Sequence, residues 1–259
     1  MIKDININEQ PCTLKVILFS PEKEKVWIAV SDKDNPLTYY SHRYCNFKGE
    51  KEFHIDLPQT SENIRLIVFK EGENPKSDDS SIEILRLSIG ELRHRMLPMS
   101  RKLRSFVKFA QEFSESASYL PASPQGEAFR SDNGKFRIVY FDKLRNRNTG
   151  KVVSTPARIS RRDGTIQISK DDFKNNSVSQ RMAILLHEFS HFYLNENPAS
   201  ELEADKYAMK IYTSLGYPRI DFHNAFLNVF KKSTTDQNYY RYKSLNKLMG
   251  KWDLATKKQ

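Results

Sequence analysis

Residues 187–191 read His-Glu-Phe-Ser-His, and ten residues after His191 the chain continues Glu201-Leu202-Glu203-Ala204-Asp205. These two segments decide how the rest is read. In a helix, side chains four apart stand one turn above another on one face. His187 and His191 can therefore aim two imidazoles at one metal ion. Glu188 sits about 100° round the helix from His187, at the lip of the same face. It can reach a water on the metal without taking a coordination position. Met182, Leu185, Leu186, Phe189 and Tyr193 fall on the opposite side, so they can enter a core while the histidines face a cleft. Ala183, one turn before His187, leaves that face open.

A catalytic zinc usually takes three protein ligands and keeps one position for water. Glu201 is the candidate third ligand, with Glu203 its main rival. Asn197-Pro198 predicts a helix start, with Asn197 as cap and Pro198 in the first helical position. On that helix Glu201, Ala204, Asp205 and Ala208 share a face, and the alanines allow close approach. Asp205, one turn beyond Glu201, suits the support of a ligand histidine through its other ring nitrogen. The plainer account is a chance motif followed by a surface helix with a solvated acidic face. Two metal-spaced motifs, each on its own helical pattern, favour the zinc site.

The pair H-E-x-x-H and E-x-x-A-D resembles the gluzincin metallopeptidases. It is similar to the pattern shared by HtpX-type peptidases, soluble minigluzincins and ImmA/IrrE-like regulators. The resemblance covers roughly residues 165–212. It implies a zincin-like α+β domain with Zn2+ on His187, His191 and Glu201, Glu188 as general base and Asp205 in support. It also implies a strand just before the active helix that pairs with the substrate backbone; Thr165–Ser169 stands in that place. HtpX-type enzymes are membrane-embedded. No run of 18 apolar residues occurs here, so their substrates do not transfer.

The chain of 259 residues carries 42 Lys plus Arg against 32 Asp plus Glu, a net charge of +10. The excess is uneven. Residues 1–90 hold 12 basic and 15 acidic side chains (−3), and residues 91–259 hold 30 and 17 (+13). That break predicts two domains at this boundary and makes the second a candidate for acidic partners, nucleic acid included. A basic face that only keeps the protein in solution explains the charge equally well. Cys12 and Cys45 form no Cys-x-x-Cys pair and read as free thiols, which suits a reducing, cytoplasmic setting. No basic-then-apolar signal segment opens the sequence.

Residues 1–90 show six strand-like runs: Thr13–Ser20, Lys25–Val30, Leu37–Tyr44, Glu52–Leu57, Asn63–Lys70 and Ser81–Ser88. Polar clusters such as 31–36 and 71–80 separate them. They predict an N-terminal β-sandwich, a possible docking module for a partner. His42 and His54 lack a second ligand at metal spacing and read as ordinary strand residues. Beyond Leu97-Pro98-Met99, an amphipathic helix is predicted over residues 100–117, with Phe106, Phe109, Ala110 and Phe113 inward. Arg93, Arg95, Arg101, Lys102, Arg104 and Lys108 crowd this region as a solvated face or an anion-binding one. Residues 120–126 read as a loop. Strands are expected at 135–141, 152–159 and 165–169, with a hairpin at Asp163-Gly164. The active helix is expected at 178–194, the Glu201 helix at 198–215, and two more at 220–232 and 237–251. His223, Tyr239, Tyr240 and Arg241 are the candidates to stabilise an oxyanion.

The expected architecture is thus α+β, a β-sandwich over 1–90 followed by a zincin-like domain over 91–259. The expected activity is peptide-bond hydrolysis by a metal-activated water, with protein or peptide as substrate. A non-catalytic docking protein with a structural zinc is the alternative from another class, and a nucleic-acid-associated peptidase is a third.

Overall fold

A computed structural model describes residues 1–72, 81–93, 97–146, 148–194, 197, 199–232 and 235–256. The chain divides into two compact units, Met1–Met96 with Leu215–Pro218, and Leu97–Ser214 with Arg219–Gln259.

The first unit is an antiparallel sheet built on two long strands. β1 (Ile2–Asn6), β2 (Cys12–Asp32), β3 (Tyr39–Leu57), β4 (Asn63–Lys70) and β5 (Glu83–Glu91) join in one five-stranded sheet, ordered β1-β4-β2-β3, with β5 also on β2. Alternate residues Leu14, Val16 and Leu18, then Val26, Ile28 and Val30, are buried along β2, as a period of two requires. The runs at 13–20 and 25–30, expected as separate strands, are one strand. The register breaks between Ser20 and Glu24, where Pro21 has no N–H to give the ladder. The first half of β2 pairs with β5 and the second half with β4. Likewise the runs at 37–44 and 52–57 are the two ends of β3. All five strands thus share one hydrogen-bonded sheet in place of the two expected sheets. Residues 73–80 of the 71–80 turn cluster, and Arg95, lie outside the described residues.

The second unit carries the helices and a small mixed sheet. Ser100 caps α1 (Arg101–Ser116), accepting the Leu103 N–H, and Phe106, Phe109, Ala110 and Phe113 point inward as their spacing predicts. β6 (Glu127–Arg130), β7 (Arg137–Phe141), β8 (Ala157–Ile159) and β9 (Ile166–Ser169) form a sheet ordered β6-β7-β9-β8. The expected strand at 152–159 shrinks to its last three residues. A single-turn α2 (Lys170–Phe173) leads to α3 (Val178–Tyr193).

α3 is the buried axis of this unit; every residue from Val178 to His191 is buried. A capping box starts it: Gln180 N–H donates to Ser177 Oγ, and Ser177 N–H to Gln180 Oε1. Phe189 stacks on Phe106 of α1, ring centroids 4.0 Å apart. Arg181, fully buried, donates to the Ser114 carbonyl at 2.7 Å and so ties α3 to the end of α1. Burial draws its pKa down to about 10. The β8–β9 hairpin is pinned to the C-terminal end of α3. Gly164 has φ +70, and a Cβ there would lie 2.6 Å from Tyr193 Oη and 2.9 Å from the Phe192 ring. α4 (Glu201–Ser214), α5 (Arg219–Lys232) and α6 (Asp236–Thr256) complete the unit, and α4 and α5 pack on α3. Among the described residues no helix is long and apolar enough to cross a membrane.

Candidate metal centre

α3 presents His187 and His191 one turn apart, as the four-residue spacing requires, and α4 brings Glu201 up to them. His187 Nε2 and His191 Nε2 are 3.1 Å apart. Glu201 Oε2 lies 3.3 Å from the first, and Glu201 Oε1 3.4 Å from the second. Ligand atoms around a tetrahedral zinc, at about 2.0–2.1 Å from the ion, stand about 3.3 Å from one another. The three side chains therefore have the mutual spacing that a small tetrahedral cation imposes. Among the described residues they form a group able to hold a metal ion.

α4 starts one turn later than Asn197-Pro198 predicts. Ser200 is the cap, its Oγ accepting the Glu203 N–H at 3.3 Å, while Asn197 Oδ1 accepts from Ala199 N–H in the preceding turn. Both residues are good caps, and the later one wins; Pro198 lies outside the described residues. Glu201 is thus the first helical residue, and Ala204 and Ala208, both fully buried, let the helix lie close to α3. Glu203, the rival ligand, turns away and pairs with Lys206 at 2.7 Å.

Asp205 is fully buried, its Oδ1 3.0 Å from His187 Nδ1. The contact is short, although the imidazole N–H is not aligned for a hydrogen bond. Arg241 of α6 closes the cluster with a bidentate grip on Asp205, Nε to Oδ2 at 2.8 Å and Nη2 to Oδ1 at 2.9 Å. Its Nη1 also reaches Glu201 Oε2 at 3.1 Å. The charges act together. Burial alone would lower the His187 pKa, but Asp205 and Glu201 outweigh it and hold it at about 10. Burial likewise favours neutral carboxyls at Glu201 and Asp205. The two histidines at Glu201, and Arg241 with His187 at Asp205, reverse that and keep both well below the usual carboxylate range.

Glu188 differs. Burial pushes its carboxyl above the usual range, despite the opposing pull of His187, His191 and the Ile159 backbone. It stands beside the three-residue cluster and is not one of its members. His187, His191, Glu201 and Glu188 open on a cleft of about 660 Å³ lined by residues 153–159 and Arg161 on one side and by Phe226, Asn238 and Arg241 on the other, with Asp205 buried behind it.

The sequence misplaced the wall of this cleft. Thr165–Ser169 was the expected rim strand, yet β9 is interior to its sheet, hydrogen-bonded to β7 and to β8. β8 is the edge strand and lies against α3. Its Arg158 faces β9 at Gln167, and Ser160 N–H donates to the Thr165 carbonyl. By the alternation of an antiparallel ladder, Ala157 and Ile159 direct their backbone groups outward, and Ile159 lines the cleft with Glu188. Three residues are too few for periodicity to reveal such a strand.

Of the four oxyanion candidates, Arg241 reaches the cleft. His223 pairs with Asn246 at 3.1 Å, Tyr239 and Tyr240 are exposed, and none of these three is among the described residues lining it. Arg241 meets the site through Asp205 and Glu201, a role its sequence position gave no means to see. It is the one arginine in α6, and no pattern links it to a residue 36 positions earlier. No known protein family, curated protein or solved structure matches this chain.

Proposed function

We propose that the chain is a zinc-dependent metallopeptidase of gluzincin type, its second unit a zincin-like domain and its first, the antiparallel sheet, a docking module. The observation that carries the reading is a buried carboxyl, Glu188, set beside a three-residue metal cluster and an edge strand, with all of them open to one cleft. A site built only to pin helices has no use for such a group. A zinc ion, when bound, lowers the pKa of water and polarises a carbonyl. His187, His191 and Glu201 are the residues that hold it, and Asp205, clamped by Arg241, orients His187.

The outward backbone groups of Ala157 and Ile159 suit a peptide added to β8 as a further strand. This would lay its scissile carbonyl along α3. Glu188 then takes the proton of the attacking water and returns it to the leaving amine. Burial raises its pKa above the usual carboxyl range, and the same group can take the proton and give it back. Two free thiols, Cys12 and Cys45, suit a cytoplasmic protein.

Glu188→Gln tests the reading. The amide keeps shape and burial but cannot accept the proton. Zinc content should match the wild type while hydrolysis of a peptide library falls by at least about a hundredfold, the usual contribution of a general base. Undiminished cleavage by the variant excludes the mechanism.

A further inference from the structure

The metal cleft has a basic wall that nothing in its own chemistry requires. Arg158 and Arg161 line the cleft beside the metal residues, and the same two, with Arg162 and Gln167, line an adjoining depression of about 270 Å³. Arg158 is anchored at the rim, its Nε donating to Gln167 Oε1 at 2.8 Å. Arg161 and Arg162 are exposed on the β8–β9 turn, and among the described residues no carboxylate pairs with either. The acid next to them, Asp163, is committed elsewhere. Its carboxylate accepts the Thr165 N–H at 3.1 Å and a bond from Ser160, both inside the turn. The only carboxylates among the described residues lining the cleft are Glu188 and Glu201.

Surface arginines often serve only solubility. These differ in placement. They stand on the turn that follows the edge strand: Arg161 lines the same cleft as Glu188 and the metal residues, and Arg162 lines the adjoining depression. A peptide laid on the three-residue β8 leaves it at this turn, so its side chains pass Arg161 close to the scissile bond. A guanidinium presents a planar fork matched to a carboxylate.

We propose that Arg158, Arg161 and Arg162 form a subsite for acidic side chains, so that the substrates are peptide segments with Asp or Glu close to the scissile bond on the hairpin side. This rests on the peptidase reading above, of which it names the substrate class.

The test uses zinc-loaded, full-length Glu188→Gln protein, which should hold peptides without cutting them. A synthetic random decapeptide library is captured at about 0.15 M salt, where charges beyond about 8 Å are screened. Bound peptides should be enriched in Asp and Glu. Adding Arg161→Ala and Arg162→Ala should cut the enrichment by roughly fivefold for each arginine that the peptide engages, the upper end for an exposed pair. Adding Arg101→Ala and Lys102→Ala, which lie outside the cleft, should leave it unchanged. Equal capture of neutral and acidic peptides, no capture, or enrichment that survives loss of Arg161 and Arg162 overturns the subsite. So does a short DNA duplex that binds this strip more tightly than any acidic peptide. Hydrolysis is scored separately with the wild-type protein. Acidic peptides captured but left intact would sink the peptidase reading and keep the subsite. Cleavage indifferent to acidic residues would do the reverse.

Discussion

Replacing Arg241 by alanine tests how the metal centre is held together. The guanidinium makes two bonds of 2.8 and 2.9 Å to Asp205, whose side chain is 0% exposed, and a third contact of 3.1 Å to Glu201. Removing one partner of such a buried pair leaves a charge with neither water nor counter-ion, at a cost of about 3–5 kcal/mol. His187 remains beside both carboxylates and offsets part of this, so the lower end is expected for metal-free protein. Bound zinc adds two positive charges against Glu201 and should reduce the loss to roughly half. The assay is urea denaturation of wild type and Arg241→Ala, each with excess zinc and with chelator. A loss under about 1 kcal/mol in the metal-free pair, or a larger loss with zinc than without, refutes the clamp. Arg241→Lys keeps the charge but not the fork, and should fall between.

Glu201→Ala should weaken zinc affinity by at least tenfold more than Glu203→Ala, because Glu203 bonds only Lys206; competition with a chromophoric chelator gives the order, and the reverse order moves the third ligand. The metal-free protein should lose stability as pH rises from neutral. His187 binds its proton up to about pH 10 when folded and only to about 6.5 when unfolded, so its contribution is complete below 6.5 and fades towards 10, by up to about 1.4 kcal/mol per pH unit. Glu201 and Asp205, both lowered, act oppositely: their contribution is complete above about pH 4 and is lost on acidification. Zinc-loaded protein should not show the alkaline decline, since a ligating imidazole is neutral, and zinc affinity should instead rise with pH as the His187 proton leaves. Denaturation midpoints across pH 6–10 with and without metal check both; parallel curves refute them.

The histidine pair could be read from the sequence because helical spacing alone sets it, while Glu201, on a second helix, stood beside Glu203 as its rival. Four residues place His187 under His191, and Ala204 and Ala208 mark the face by which α4 approaches α3. The helix at 178–194 was equally plain from its inward Phe189, and the structure adds the Ser177 cap. Strand connectivity was not. The runs at 13–20 and 25–30 read as two strands, whereas β2 runs through Pro21 with a register break. β1 and the four-residue β6 fell below the length at which alternation is visible. Residues 165–169 take the rim position only from the resemblance, as the run just before the active helix; the sheet instead buries that apolar run as the interior strand β9 and leaves the shorter β8 at the edge. Contacts across long separations leave no local trace at all. Nothing near residue 241 marks it as the partner of Asp205, and nothing in Arg161-Arg162 distinguishes them from any exposed pair until the hairpin sets them beside the metal ligands.

The central claim is that two imidazoles and one carboxylate converge on a single cation that keeps a place for water. X-ray absorption at the zinc edge, on protein loaded and then freed of excess metal, tests it most directly. The account predicts one zinc per chain with two nitrogen neighbours at about 2.0–2.1 Å, oxygen neighbours completing the set, and the signal lost in His187→Ala. A protein that retains no zinc, or holds it equally well after His187→Ala, contradicts the account.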